Sequence, residues 1–518
     1  MTGTVSPAAV SPADVSPDYL RLKALAEQGV AQAQHSLGFM HFNGDGAPQS
    51  YELALAWYRQ AANAGLAHAQ YNLGVMYQKG QGVDADFAEA AQWYRLAAEQ
   101  GYAAAQYNLG WLYAKGHGVA HDTELARHWF SKAAEQGDAG AQNNLGMMYD
   151  TGKGVPQDLA QAILWYRKAA RQGYARAQFN LALRAESGEA IGWLEAAAEQ
   201  GYAPAQFNLA LRYDKGDGVA QDSMQAIRWY RAAAEQGHVS SQFNLGLIFD
   251  NGHGVPRDER QALDWYLRAA QQGHAAAQNN VGLRYEHGQG VLQDAASAAH
   301  WYDKAAQQGF PSAQYHLGLL CDSGNGVARD EVAAIGWYIK AAEQGHLRAQ
   351  FELALRFETG RGVAQDLHAA MGWYGRAAEQ DYAPAQYNLG LLHDREDGPA
   401  PDVALANDWY RKAAELGHTL AQFTLALRYD NGQGVARDFG QAFIWYRKAA
   451  QQGHARAQLN LGLMYLAGQG IDADMAQARH WFALAQQNGE AAAARYLAAA
   501  TARMGSASLV PLGSGLST

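Results

Sequence analysis

The decapeptide YDNGQGVARD, Tyr429 to Asp438, carries the residue types from which an ion site is built. Two glycines one residue apart, flanked by acids and amides, could offer oxygens to a hard cation or free N–H groups to a phosphate. The stretch lacks the Lys-Ser/Thr of a phosphate loop and the twelfth-position Glu of a calcium loop. The same Gly-x-Gly pair recurs in eleven turns. Each of them lies between two helical patterns and none follows a strand. The pattern therefore predicts a structural turn, with glycine supplying the backbone freedom. The other chemically capable residues read the same way. Cys321 is the only cysteine, in a register where other units carry Tyr, and a small core role is expected. Of the 18 histidines, His238, His274, His346, His418 and His454 each follow a helix-ending Gly, one or more repeats apart. Metal ligands must cluster, so packing is expected of these rings. No Gly-x-Ser-x-Gly or His-Glu-x-x-His occurs. Neither a catalytic residue nor a metal ligand nor a cofactor is predicted.

The elements that position these residues follow from a period. Ala-Gln, once Ser-Gln, recurs with Gln at 34, 70, 106, 142, 178, 206, 242, 278, 314, 350, 386, 422 and 458, in steps of 36 residues apart from one of 28. Thirteen tryptophans from Trp57 to Trp481 keep the same spacing, and Trp111 alone stands outside it. Each unit predicts a first helix of about 12 residues from apolar spacings of three and four. A Gly-x-Gly-Val turn follows. Asp three residues later (Asp86, Asp122, Asp158, Asp438), or Ser50 in the first unit, is placed to cap a second helix. That helix is expected to carry Ala and Trp-Tyr inward and to stop at Gln-Gly. Asp381 replaces the terminal Gly once, as a short polar residue can.

The segment AQYNLGVMYQKGQGVDADFAEAAQWYRLAAEQG, Ala69 to Gly101, resembles a Sel-1-like repeat, a relative of the tetratricopeptide repeat with a longer turn. The resemblance implies an all-α, right-handed solenoid of about thirteen stacked antiparallel helix pairs. It also implies a role as an adaptor or scaffold for protein complexes. One cysteine-rich branch of the family resembles β-lactam-hydrolysing proteins, but the paired cysteines of that branch are missing here, so no such activity carries over. The expected organisation is an arm over 1–17 with three Val-Ser-Pro copies, the repeat array over 18–503 and a Gly/Ser-rich tail over 504–518. Asp18 to Gln28 and Glu490 to Arg503 read as caps over the array's ends. One short unit near 178–205 lacks the turn, and a local change of curvature is expected there.

Charge narrows the partners. With 40 basic against 50 acidic residues and a formal charge of -10, the chain shows no basic face for nucleic acid. The N-terminus does not read as a secretory signal, and no 18-residue apolar run predicts a membrane span. A cytoplasmic protein is expected.

Unrolling the first helix at about 100° per residue leaves one face, the concave side in tetratricopeptide-like arrays, with four rows. The residue after Gly/Ala is apolar in every unit, as at Leu247, Leu283 and Leu319. The residue after Gln is mostly aromatic, as at Phe243, Tyr315 and Phe351. Asn208, Asn244 and Asn280 belong to a row of amides. Nine successive units carry an acid: Asp150, Glu186, Asp214, Asp250, Glu286, Asp322, Glu358, Asp394 and Asp430. Arg212, Arg284, Arg356 and Arg428 recur at twice the period, preceded by Arg184. Each row has two readings. The apolar rows either floor a groove or are sealed between repeats, and the amides either clamp a peptide backbone or join helices. The acids either bond the following turn or attract a basic segment, and the Arg side chains pair with those acids or grip a partner's carboxylate. The function these readings predict is a non-enzymatic scaffold binding a protein or peptide with a basic or amphipathic segment. The alternatives are a regulator of an enzyme or of envelope or signalling processes, or a hydrolase with a site assembled across repeats. A hydrolase would need a nonrepeating polar cluster, and the sequence shows none.

Overall fold

The computed structural model describes residues 15–185 and 187–507. Most of the expected arm and tail, and the acid Glu186, lie outside the described residues. Among these residues the chain forms 28 helices and no strand. It comprises two compact units. Unit 1 runs from the helix Pro17–Glu27 to Arg257, and unit 2 from Asp258 to the helix Ala493–Ala507. Within each unit every helix packs on the one before it and the one after it. The first helix of each repeat is called the A helix and the second the B helix.

Local chemistry sets the boundaries. The A helix Ala67–Lys79 ends at Gly80, whose φ of 68° is left-handed and whose N–H bonds the Met76 carbonyl. The chain then returns, and Asp86 N–H donates to the Tyr77 carbonyl at 2.9 Å. The Asp86 carboxylate accepts from the N–H groups of Ala88 and Glu89 at 2.8 and 3.0 Å, starting the B helix Phe87–Glu99. Ser50 caps its helix in the same way, and Asp381 takes a φ of 59°. In the short repeat the A helix shrinks to Ala175–Ala182. The second glycine of the turn has its own reason. At Gly326 φ is 75°, and a Cβ built there would stand 2.3 Å from the backbone carbonyl of Ala295, at the start of the preceding B helix. Gly345 has a similar φ of 84° but open space around it. Gly345→Ala is therefore expected to cost about 1–2 kcal/mol for backbone conformation alone. Gly326→Ala should cost about 1–3 kcal/mol more because a helix terminus must move. Urea midpoints of the two variants check this, and equal shifts would refute the close approach.

Packing turns on one notch. The Gly of Asn-Leu-Gly receives a ring from the B helix: a Cβ on Gly282 would lie 2.6 Å from Tyr302, and one on Gly318 2.6 Å from Tyr338. Tyr94, Tyr302, Tyr338, Tyr374, Tyr410 and Tyr446 are each 0 % exposed. The expectation that Trp and its aromatic neighbour point inward together holds at Trp57, Trp129, Trp265 and Trp445, which are buried, but not throughout. Trp93, Trp165, Trp301, Trp337, Trp373 and Trp409 are only half-buried. Each such ring lies about 100° round the helix from its Tyr neighbour, and all of them except Trp93 are covered by a cation three residues on. Examples are Lys168 on Trp165 at 3.9 Å and Lys304 on Trp301 at 4.6 Å.

The Gln that marks the repeat is buried and joins three helices. Gln106 Nε2 donates to the Ala98 carbonyl of the preceding B helix at 3.0 Å, and its Oε1 accepts from Gln136, at the end of the following B helix, at 2.7 Å. The motif repeats in unit 2, where Gln314 donates to Ala306 and accepts from Gln344. Histidine also has a structural use beyond packing. His274, His346, His418 and His454 stand at the N-caps of A helices, with Nδ1 accepting the N–H three residues on at 3.1–3.2 Å. The ring accepts there only when neutral, and burial lowers the pKa of all four.

Candidate partner-binding face

The residues singled out on the A helices fall on one face, and the structure gives the rows different degrees of access. The aromatic row is the most closed. Tyr315 is buried and Phe243 half-buried. Phe351 packs between Tyr374 and Tyr382 of neighbouring helices, at 5.6 and 5.3 Å between ring centres. Tyr315 meets His346 at 4.9 Å, so the capping histidines also brace this row. The leucine row is more open. Leu247, Leu283 and Leu319 are half-buried, while Phe39, Met147 and Leu183 in the same register are 51, 47 and 46 % exposed.

The amides are divided. Asn180 donates to Asn143 of the preceding A helix at 2.9 Å, and Asn388 to the Tyr374 hydroxyl at 3.0 Å. Asn208 turns back to its own helix at the Pro204 carbonyl. Asn280 accepts from Asn279 at 3.4 Å. Asn244 borders a hollow of about 380 Å³ in unit 1, together with Leu247 and Asp214.

The acids do not use the following turn's N–H groups in the way one local reading expected. The carboxylates of Asp150, Glu286, Glu358, Asp394 and Asp430 take the hydroxyl of the buried Tyr sixteen residues on, whereas the Tyr230 and Tyr338 hydroxyls beside Asp214 and Asp322 are unpartnered among the described residues. Tyr302 donates to Glu286 at 2.5 Å, Tyr374 to Glu358 at 2.7 Å and Tyr446 to Asp430 at 3.3 Å. Burial, together with the carboxylate beside it, pushes the Tyr302 hydroxyl far above the usual phenol range, so it remains a donor. Three of the acids are bonded by an arginine 34 residues on. Arg356 grips Asp322 with two bonds of 3.0 and 2.6 Å, Arg184 grips Asp150 at 3.0 and 2.9 Å, and Arg428 bonds Asp394. Arg284 is buried and donates to Gln289 at 2.8 Å, with its guanidinium 6.0 Å from the centre of the Tyr266 ring. Asp250 is half-buried. The acidic row thus includes acids held by arginine, Asp214 beside His253 at 3.7 Å, and Glu286, Glu358 and Asp430, whose carboxylates bond a tyrosine with no Lys or Arg ion pair among the described residues.

Two features were missed in the sequence. One is the bond from tyrosine to the acid, signalled only by a constant spacing of 16 residues, whereas the arginine–acid pairing was one of the two readings of the Arg row. The other is a cleft of about 680 Å³ beside Trp111 in unit 1. Among the described residues no three His, Cys, Asp or Glu side chains are grouped to hold a metal ion. Burial raises the pKa of the half-buried Cys321 thiol, with Asp330 and Asp303 adding to the shift.

Comparisons agree with this architecture. The family model described as Sel1 repeat matches thirteen consecutive segments that tile residues 31–489, from 31–66 to 455–489, with 175–202 the short one. A solved protective antigen of uropathogenic Escherichia coli displaying an SLR fold is 35% identical. The match covers 90% of this chain and 99% of that one at a TM-score of 0.61. A Sel1 repeat protein from Oxalobacter formigenes is 36% identical, over 62% of this chain and 93% of that one, at a TM-score of 0.50. None of the curated proteins matches.

Proposed function

The chain belongs to the Sel1 repeat family, and on that premise we propose that it is a non-enzymatic scaffold holding a basic or amphipathic segment of a protein partner along its A-helix face. Solenoids of this kind are commonly used for protein–protein interaction. The observation that carries the reading is the pairing of two rows in unit 2: half-open leucines beside acids that no Lys or Arg side chain pairs among the described residues, His316 alone standing 3.8 Å from Glu286. Glu286, Glu358 and Asp430 each spend one bond on a tyrosine and keep lone pairs for an incoming cation. Leu283 and Leu319 supply half-open apolar surface on the same face. Asp322 and Arg356 serve the scaffold in this reading, and Asn208, Asn244 and Asn280 are secondary contacts. No helix among the described residues is long and apolar enough to cross a membrane. No nucleic acid or cofactor is part of the reading.

The test uses the full chain and a fluorescein-labelled helical peptide of Leu and Lys, read by fluorescence anisotropy. The triple variant Glu286→Gln, Glu358→Gln, Asp430→Asn should bind the peptide about 10-fold or more weakly at unchanged helicity, each rim pair contributing roughly 0.5–1 kcal/mol. Equal binding by variant and parent would remove the acids from the reading.

A further inference from the structure

We propose that the cleft beside Trp111 is a docking pocket for an acidic peptide segment that carries a bulky apolar side chain. The cleft, of about 680 Å³, lies in unit 1 and is lined by Trp111, Met147 and Met148 among apolar residues and by Lys115, Lys153 and Arg176 at its charged edge. Its volume falls within the usual range for pockets that enclose a ligand.

Three observations set the chemistry. Trp111 is the one tryptophan that the repeat does not require, standing where most repeats carry leucine. Its indole is half-buried and meets His117 edge-on at 5.3 Å, so it forms a wall of the cleft and is not sunk in the core. The acidic row has not yet begun here. Ala114 takes the acid's place, the next acid Asp150 is held by Arg184, and Asp138 caps the helix Ala139–Thr151 through the Ala141 N–H. Among the described residues Lys115, Lys153 and Arg176 consequently form no ion pair, although the chain as a whole is negative at -10. Unpaired cations around an apolar hollow are complementary to an anion attached to an apolar group.

The same face shows that the occupant is a chain. A smaller hollow of about 230 Å³ lies nearer the N-terminus on this face, bordered by Phe39, Tyr71 and Val75, and again edged by a lysine, Lys79. Gln78 stands there in the acid's place. Two hollows of one character in one row of A helices fit successive side chains of a peptide better than one compact molecule. The inference rests on the proposed function in needing this face to be open. It gives the array's first repeats a partner charge opposite to that drawn by the later acids.

The experiment uses the full chain and labelled peptides in which Glu flanks Trp and Leu, beside the same peptides with Gln for Glu. The acidic peptide should bind and the Gln peptide at least tenfold more weakly. Lys115→Gln combined with Lys153→Gln and Arg176→Gln should weaken the acidic peptide at least tenfold, and so should Trp111→Leu, which installs the residue most repeats tolerate there; losses of this size are usual for an anchor residue. The triple variant Glu286→Gln, Glu358→Gln, Asp430→Asn should bind the acidic peptide unchanged. Equal binding of acidic and Gln peptides, or full binding by the cation variant, overturns the proposal. So does complete displacement by dodecanoate at the peptide's own affinity, which would make this a small-molecule site. Dimerisation lost in the cation variant would assign the cleft to a second copy and also overturn it. Failure of the acidic peptide with retained binding of the Leu/Lys peptide overturns this inference alone. Failure of the Leu/Lys peptide alone strikes only the proposed function.

Discussion

Tyr302→Ala should destabilise unit 2 by about 3–5 kcal/mol, whereas Trp301→Ala should cost only about 1–2 kcal/mol. The two rings are neighbours in sequence and similar in bulk, so the contrast isolates position. Tyr302 is 0 % exposed and fills the notch opposite Gly282, where not even a Cβ fits beside it. Its removal leaves a void that helix backbones cannot close without sliding, and it strips Glu286 of its hydroxyl donor. Trp301 is half-buried under Lys304, and its truncation exposes the stem of a lysine to water. Repeats depend on their immediate neighbours, so the damage should be local. Hydrogen exchange should speed up in the helices Ala275–His287, Ala295–Gln307 and Pro311–Ser323 and remain near parent values in unit 1. Equal urea shifts for the two variants would contradict the notch.

Asp322→Ala should cost about 3–5 kcal/mol, and adding Arg356→Leu should restore most of it. The side chain of Arg356 is 6% exposed and that of Asp322 13%. Removing the carboxylate leaves a guanidinium out of water with its charge uncompensated. Arg361, which also reaches Asp322, is largely exposed and cannot take over that task. The chain already contains the apolar solution, because Leu320 and Leu392 stand in the register of Arg356 in the adjacent repeats. A double-mutant cycle on urea midpoints measures the coupling. Additive losses would mean that the pair acts as two separate surface charges.

The framework was legible because its determinants are local. Gly80, Asp86 and Asp381 act within one turn of their own position, and local signals survive in a single sequence. The rest depends on partners far along the chain. Adjacent Trp and Tyr look alike in a pattern, and only the notch at Gly282, twenty residues away, tells which one faces the core. The roles of Asp322 and Glu286 depend on whether an arginine follows 34 residues later. That period was visible, but its meaning was not, because spacing alone cannot say whether two side chains turn toward each other or toward a partner. The capping role of histidine could have been inferred from Asp138, an ordinary N-cap residue in the same register. The Trp111 cleft left one mark, a tryptophan out of step.

The buried glutamines have a consequence for how such an array can be operated. Within each unit these glutamines join one repeat to the next through amide-to-amide and amide-to-carbonyl bonds, without formal charge, alongside the arginine–acid pairs. The binding proposed for Glu286 and Glu358 in unit 2 would instead rest on ionic attraction. Dissolved electrolyte damps the second kind of force and barely touches the first. If the proposed ionic binding holds, a salt pulse would release the bound segment while the amide bonds between repeats of each unit persisted.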